Sequence, residues 1–267
     1  MSVLDVTILG CGSSGGVPRI DGDWGACDPL EPKNRRTRCS LLVRRRGAGG
    51  ETVAVVDTSP DFRAHCLAAD VRHVDGVVIT HEHADQCHGI DDLRAFAMRS
   101  RKRTPVCMDP STAAVLSDRF GYIFRGQGGY PPICDLEVVQ PGADWRIDGA
   151  GGLIPVSTFP LVHGSISSLG VRFGDVAYTP DVSGLPDAAF DGLRDLDLWI
   201  VDALRWTPHP THSHVDQTLD WIAQVKPRRA VLTNLHIDLD WTVLTARLPD
   251  GVTAAYDGLR LESPLTP

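Results

Sequence analysis

Short apolar runs recur along the chain, at residues 3–9, 40–43, 52–56, 76–80, 169–173, 198–201 and 230–233. Each has strand length, is rich in Val, Ile or Leu, and is bounded by Gly, Asp, Pro or Ser, which is the pattern of buried strands. Helical periodicity comes between some of them. The clearest instance begins at Ser213, where Ser213 and Asp216 have the spacing of a capping box and Val215, Leu219 and Ile222 supply one apolar face. Further helices are predicted near residues 60–67, 89–98, 111–120 and 240–248. Strands that first cluster and then interleave with helices predict sheets covered by helices in one α/β (α+β) domain.

Composition narrows the class. A chain of 267 residues with 42% hydrophobic content can bury a full core, and one domain over residues 1–267 is the expectation. The apolar stretch at the start is short and lacks a basic leader, so it reads as a strand and not a signal peptide. No segment approaches the roughly 20 apolar residues of a membrane helix. A cytoplasmic protein without a membrane partner is expected. Seven irregularly spaced cysteines, without a C-x-x-C pair, argue against a disulfide framework and a local zinc ribbon and for small buried hydrophobes. The formal charge of -8 makes nucleic acid an unlikely partner, although residues 33–38 and 99–103 are locally basic, as solvated surface or as anion sites.

The chemistry concentrates after the run at residues 76–80, in His81-Glu82-His83-Ala84-Asp85-Gln86-Cys87-His88-Gly89. Two imidazoles one residue apart at a strand end can turn toward one point, and a carboxylate two residues on can reach a neighbouring point. Imidazole with carboxylate suits zinc, iron or manganese, and a bridging carboxylate elsewhere would hold two ions about 3.5–4 Å apart. His163, Asp181 and His236 each stand at or just beyond the end of another apparent strand. The loop from Gly10 to Gly16 contains a formal G-x-G-x-x-G, but Val17-Pro18 interrupts it and no helix follows, so it is no dinucleotide fingerprint. It either packs or offers Ser13 and Ser14 to an anion.

The order H-x-H-x-D, His163, Asp181 and His236 resembles the metallo-β-lactamase superfamily. Residues 10–18, 34–40, 88–94 and 256–258 are similar to its phosphodiesterase branch, typified by phosphoribosyl cyclic phosphate phosphodiesterases of carbon–phosphorus lyase pathways. The resemblance spans essentially the whole chain. It implies a four-layer αββα sandwich and two divalent ions, Zn2+ or Mn2+. By position, His81, His83 and His163 would hold the first ion, Asp181 would bridge, and Asp85 and His236 would hold the second. His212, in the stretch with His209 and His214, would be the general acid of a phosphodiesterase, with Asp85 orienting water. Arg205, or an arginine from residues 35–38, together with Ser13 and Ser14, would meet the substrate, a small or cyclic phosphodiester. A homodimer is left open as the assembly.

Two departures qualify the match. The family places a histidine after the motif aspartate, and here Gln86 stands there as a further ligand of the second ion. A glutamine offers a neutral amide oxygen, poorer for zinc and better suited to manganese, so a weak or empty second site is expected. A structural zinc site of the branch is also expected to be absent, since only Cys27 and Leu239 occupy its positions. The rival readings are another hydrolase of the same fold, acting on a lactone, thioester or RNA end, and a catalytically impaired metal-binding protein.

Overall fold

A computed structural model describes residues 2–265. Strands β1 (Ser2–Gly10), β2 (Ser40–Gly47), β3 (Gly50–Val56), β4 (Gly76–Val78), β5 (Thr104–Met108) and β6 (Cys134–Val138) build a first sheet, in which β1–β2–β3 run antiparallel and β3–β4–β5–β6 parallel. A second sheet follows from β7 (Asp144–Ile147), β8 (Ile154–His163), β9 (Ile166–Phe173), β10 (Val176–Thr179), β11 (Leu198–Asp202), β12 (Arg229–Thr233) and β13 (Val252–Ala254), parallel from β10 onward. Strand β14 (Arg260–Leu265) returns to the outer edge of the first sheet beside β1.

Side chains that alternate along each strand explain the layers. In β3, Ala54 and Val56 face the second sheet, whereas Val53 and Val55 face helices; in β11, Leu198 and Ile200 point inward and Trp199 and Val201 outward. Helices α1 (Phe62–Ala68), α2 (Ala84–Cys87), α3 (Leu93–Ser100), α4 (Pro110–Arg119) and α5 (Gly121–Arg125) lie along the first half of the chain, and Phe62, Leu93, Leu116 and Ile123 cover the outer face of its sheet. Helices α6 (Asp187–Gly192), α7 (Val215–Val225) and α8 (Trp241–Thr245) cover the second through Ala189, Val215 and Leu244. With both faces of each sheet buried, the strands read as near-continuous apolar runs. The four-layer αββα sandwich is the expected one.

All seven predicted strands and all five predicted helices are present, with shifted ends. The capping box is not. Helix α7 starts at Val215 with His214 at its cap and no side-chain cap bond, while Ser213 is buried and donates to the carbonyl of Asp202 at 2.6 Å. A hydroxyl at the end of a buried strand finds a better use there than on a solvated helix end. Strands β5, β6, β7, β13 and β14 were outside the predicted runs, because they are short or carry Asp, Glu, Arg and Pro on a partly exposed face.

Because β1, β8 and the parallel strands share one direction, their carboxyl ends open on a single edge, where ligands bind in open α/β sheets. There the chain places the glycine loop after β1, Asp57 after β3, His81 after β4, His163 at the end of β8, Asp181 after β10, Asp202 at the end of β11 and Asn234 after β12. The loop joins the two sheets: Leu235 N donates to Cys11 O at 2.8 Å, and Gly12 N to Thr37 O at 2.7 Å. A Cβ on Gly12 would come within 2.9 Å of Thr37 O, so this crossing requires glycine. All seven cysteines are buried free thiols. Among the described residues no helix is long and apolar enough to cross a membrane.

Candidate metal centre

Three imidazoles converge at this edge. His81 Nε2 lies 3.0 Å from His83 Nδ1, and His163 Nε2 lies 3.2 Å from the same atom. The opposite ring nitrogens fix what these atoms carry. His163 Nδ1 is 2.7 Å from the carbonyl of Thr211, which can only accept, so the proton sits on Nδ1 and Nε2 presents a lone pair. His81 Nδ1 is 3.1 Å from Thr80 Oγ1, whose own proton goes to Asp57; Thr80 therefore accepts, and His81 Nε2 is also a lone pair. Burial, then the neighbouring imidazoles, hold His81 well below the ordinary histidine range, and burial with His212 pushes His163 down to about 4. Both rings are neutral near pH 7. Ligands at about 2.0–2.1 Å on a tetrahedral ion sit about 3.3–3.4 Å apart, close to the spacing here, so a cation fits these residues.

Beside them, His163, Asp181 and His212 also offer ligand atoms within 4.8 Å of one another. His212 Nδ1 is 2.9 Å from Asp202 Oδ2 and 3.5 Å from Asp181 Oδ1. Burial works against charge on His212, but the hydrogen bond and charge of Asp202, followed by Asp181 and Asp85, raise it to about 9. Burial pushes the Asp202 carboxyl up in turn, with His212 opposing. We read the pair as imidazolium beside carboxylate, because Asp202 also receives Val182 N–H at 3.1 Å and the Asn234 amide at 3.2 Å, both of which favour its anion.

Of the remaining expected residues, Ser13, Ser14, Asp85, Arg205, His212 and His236 wall a cavity of about 250 Å3. Asp85 and His236 lie outside both ligand groups. Gln86 is buried, and its amide nitrogen is 3.0 Å from Asp181 Oδ2 and 3.3 Å from Asp85 Oδ2. His236 Nε2 is 2.5 Å from an Arg19 guanidinium nitrogen. Arg205 is tied to the carbonyls of Thr207 and Pro208 at 3.1 and 2.7 Å. His209 sits ring to ring with His212 at 5.2 Å, and His88 packs edge-on against Phe120 instead of entering the centre.

The basic run at residues 33–38 is engaged along its length. Lys33 lies over the Trp241 ring at 3.5 Å, Arg35 over Trp24, and Arg38 pairs with Asp61 at 2.9 Å. Arg36 is buried and donates to the carbonyls of His236 and Leu239 and to Asn34, whose amide in turn donates to Asp240. Cys27 lies at the edge of this polar network, 3.9 Å from Arg36 Nη1.

Sequence reasoning missed Asp57, Asp202, Asn234, Thr211 and Arg19. The first three carried a usable signal, since each is a polar residue directly after a predicted strand. Asp57 (φ 63°) and Asn234 (φ 61°) are left-handed, a conformation that Asp and Asn tolerate better than other side chains, and both aim a side chain back into the edge. Burial pushes Asp57 up to about 8 against the Thr80 hydrogen bonds. Thr211 acts through its carbonyl, and Arg19 through a reach no spacing encodes.

Comparison with known proteins gives the family and the fold. A crystal structure of a diphosphatase from the PhnP family superimposes with a TM-score of 0.88, at 34% identity over 99% of both chains. Zn(2+)-bound PqqB from Methylobacterium extorquens shares the fold, with a TM-score of 0.72 at 17% identity over 96% of this chain and 99% of that one. An octanoyltransferase of Porphyromonas gingivalis is 30% identical over 94% of this chain, which spans only 50% of that protein. The family profile of the beta-lactamase superfamily domain matches residues 52–237, the stretch that runs from β3 through every histidine of the centre, and the chain belongs to that superfamily.

Proposed function

We propose that the chain is a metal-dependent phosphodiesterase acting on a small or cyclic phosphate diester. The observation that carries the reading is the convergence of His81 Nε2, His83 Nδ1 and His163 Nε2 beside the His212–Asp202 pair. These three histidines, with Asp181 adjacent, would hold a divalent ion, Zn2+ or Mn2+. Such an ion supplies positive charge to the phosphate oxygens and acidifies water.

The chain's own groups do the rest. Asp202 fixes His212 through Nδ1, so the opposite nitrogen carries a proton toward the cavity, where it is placed to protonate the departing oxygen as general acid. Asp85 on the cavity wall orients the attacking water. Ser13, Ser14 and Arg205 meet the phosphate oxygens. The likeness to a diphosphatase at 34% identity over nearly the full length supports a phosphoric ester over other substrates.

Turnover of bis-p-nitrophenyl phosphate by chelated protein, restored by Mn2+ or Zn2+, is the test. No metal-dependent turnover under either ion would sink the hydrolase reading. A rival substrate class has one observation behind it, the resemblance to half of a protein named octanoyltransferase. Higher kcat/KM on an octanoyl thioester or a lactone than on the phosphodiester would move the reading there.

A further inference from the structure

We propose that Arg19 stands in for a second metal ion: the chain holds one divalent ion, and the Arg19 guanidinium supplies the second positive charge of the cavity. The inference rests on the metal-hydrolase reading for the first ion only. A second ion would need lone pairs from Asp85, Asp181 and His236, and the structure gives each of these a protein donor.

Gln86 provides the first two. Its side chain is only 1% exposed, and its Nε2 faces Asp181 Oδ2 and Asp85 Oδ2 at 3.0 and 3.3 Å. Turning the amide over would set its oxygen against two carboxylate oxygens, so the network assigns the nitrogen to that side. Arg19 provides the third. A guanidinium only donates, hence His236 Nε2, at 2.5 Å, is the acceptor and its lone pair is used. His236 Nδ1 lies 3.1 Å from Asp238 Oδ2 without hydrogen-bond geometry, so the Arg19 contact is what sets Nε2 as the acceptor. Neither ligand group among the described residues contains Asp85 or His236.

The placement of Arg19 also suits a substrate contact. It lines the same cavity as Ser13, Asp85 and His212, and its side chain lies over Gly15, where an added Cβ would be 3.5 Å from Arg19 Cγ. It reaches in from an exposed backbone position, so one end is anchored on His236 while other N–H groups remain for an oxygen anion. Arg205, on the same wall, commits two of its five N–H groups to backbone carbonyls and keeps the rest for the phosphate. Arg19 thus adds a positive charge to a wall that also carries Asp85, without an ion.

Metal stoichiometry decides the matter without relying on activity. Chelated protein is reloaded with excess Mn2+ or Zn2+, desalted, and its metal counted by elemental analysis and native mass spectrometry. One ion per chain is expected, rising to two in the Gln86→His/Arg19→Ala variant. Two ions in the unaltered chain would overturn the inference and leave the hydrolase reading standing, whereas none would remove the hydrolase reading itself. Arg19→Ala alone, at an exposed position that tolerates truncation, is expected to keep one ion and to raise KM for the phosphodiester about tenfold to a hundredfold, with Arg19→Lys recovering part of it. An unchanged KM in Arg19→Ala, or a double variant that folds and still binds one ion, would count equally against it.

Discussion

The three-histidine pocket and the Asp85–Gln86–His236 side of the cavity use similar residue types and end up chemically opposite. On the first side the outward ring nitrogens of His81 and His163 are satisfied by Thr80 and by the Thr211 carbonyl, so their inward nitrogens are lone pairs that meet at His83 Nδ1. On the second side Asp181 Oδ2, Asp85 Oδ2 and His236 Nε2 each already face a donor, from Gln86 or from Arg19. What a histidine or carboxylate can do is therefore set less by its identity than by what its other atoms, and its neighbours, have already committed.

Removing a lone pair from the first side is the harshest way to probe that contrast. His83→Ala, which deletes the nitrogen shared by both close pairs, is expected to lose bound metal in elemental analysis and metal-dependent turnover together, by far more than the roughly 10–100-fold that loss of an outer partner costs. Unchanged metal content would break the comparison at its root. Next in size is Asp202→Asn, which keeps the shape of the His212 partner but removes its charge. A fall in kcat of about 10²–10⁴ is expected, with metal content unchanged. Loss of metal instead would mean that His212 belongs to the ligand set that also contains His163 and Asp181.

A milder substitution asks whether the outer partners make the difference between the two sides. Thr80→Val removes the acceptor that fixes the His81 tautomer and one donor to Asp57. Metal affinity, read by competition with a chromophoric chelator, is expected to weaken about 10–100-fold. If affinity holds, the convergence of lone pairs is set by packing alone.

How much of this was legible in the sequence follows from the same contrast. The strand runs, the helices over them and the H-x-H-x-D segment are local patterns, and each stands where it was read. His163 and Asp181 were found because each ends a strand on the same edge. The partners that decide protonation were not found: the Thr211 carbonyl has no side-chain signature, and Asp202 and Asn234 stand just past the ends of apolar runs, where a polar residue reads as a boundary. Arg19 directly follows the glycine-rich segment, but nothing local marks its partner, His236, which lies 217 residues away along the chain. The misplaced cap at Ser213 has the same origin, since a local spacing rule could not know that the Asp202 carbonyl lay within reach.

The smallest effect concerns what supports the glycine-loop side. Asp257 accepts from Cys11 N at 3.0 Å, and from Thr37 N and Oγ1 at 2.7 and 2.5 Å; Thr37 Oγ1 in turn lies 2.7 Å from His65 Nε2. Having given its proton to Asp257, the hydroxyl accepts from Nε2–H, which leaves His65 Nδ1 bare and buried without a partner. Burial, with Asp61 opposing, lowers His65 to about 4. Between that value and the ordinary 6.5 the unfolded chain binds the extra proton and the folded chain does not, so stability is full above about pH 6.5 and falls as pH drops toward 4. Each unit is worth up to about 1.4 kcal/mol, hence about 2 kcal/mol between pH 6.5 and 5. His81 and His163 bias the metal-free protein in the same direction, so the quantity to measure is a difference. Denaturant unfolding of chelated His65→Gln, whose amide can still donate to Thr37, should show a slope against pH shallower than the unaltered chain by that amount; parallel slopes would mean that His65 titrates normally and that the loop side is not held by a neutral imidazole.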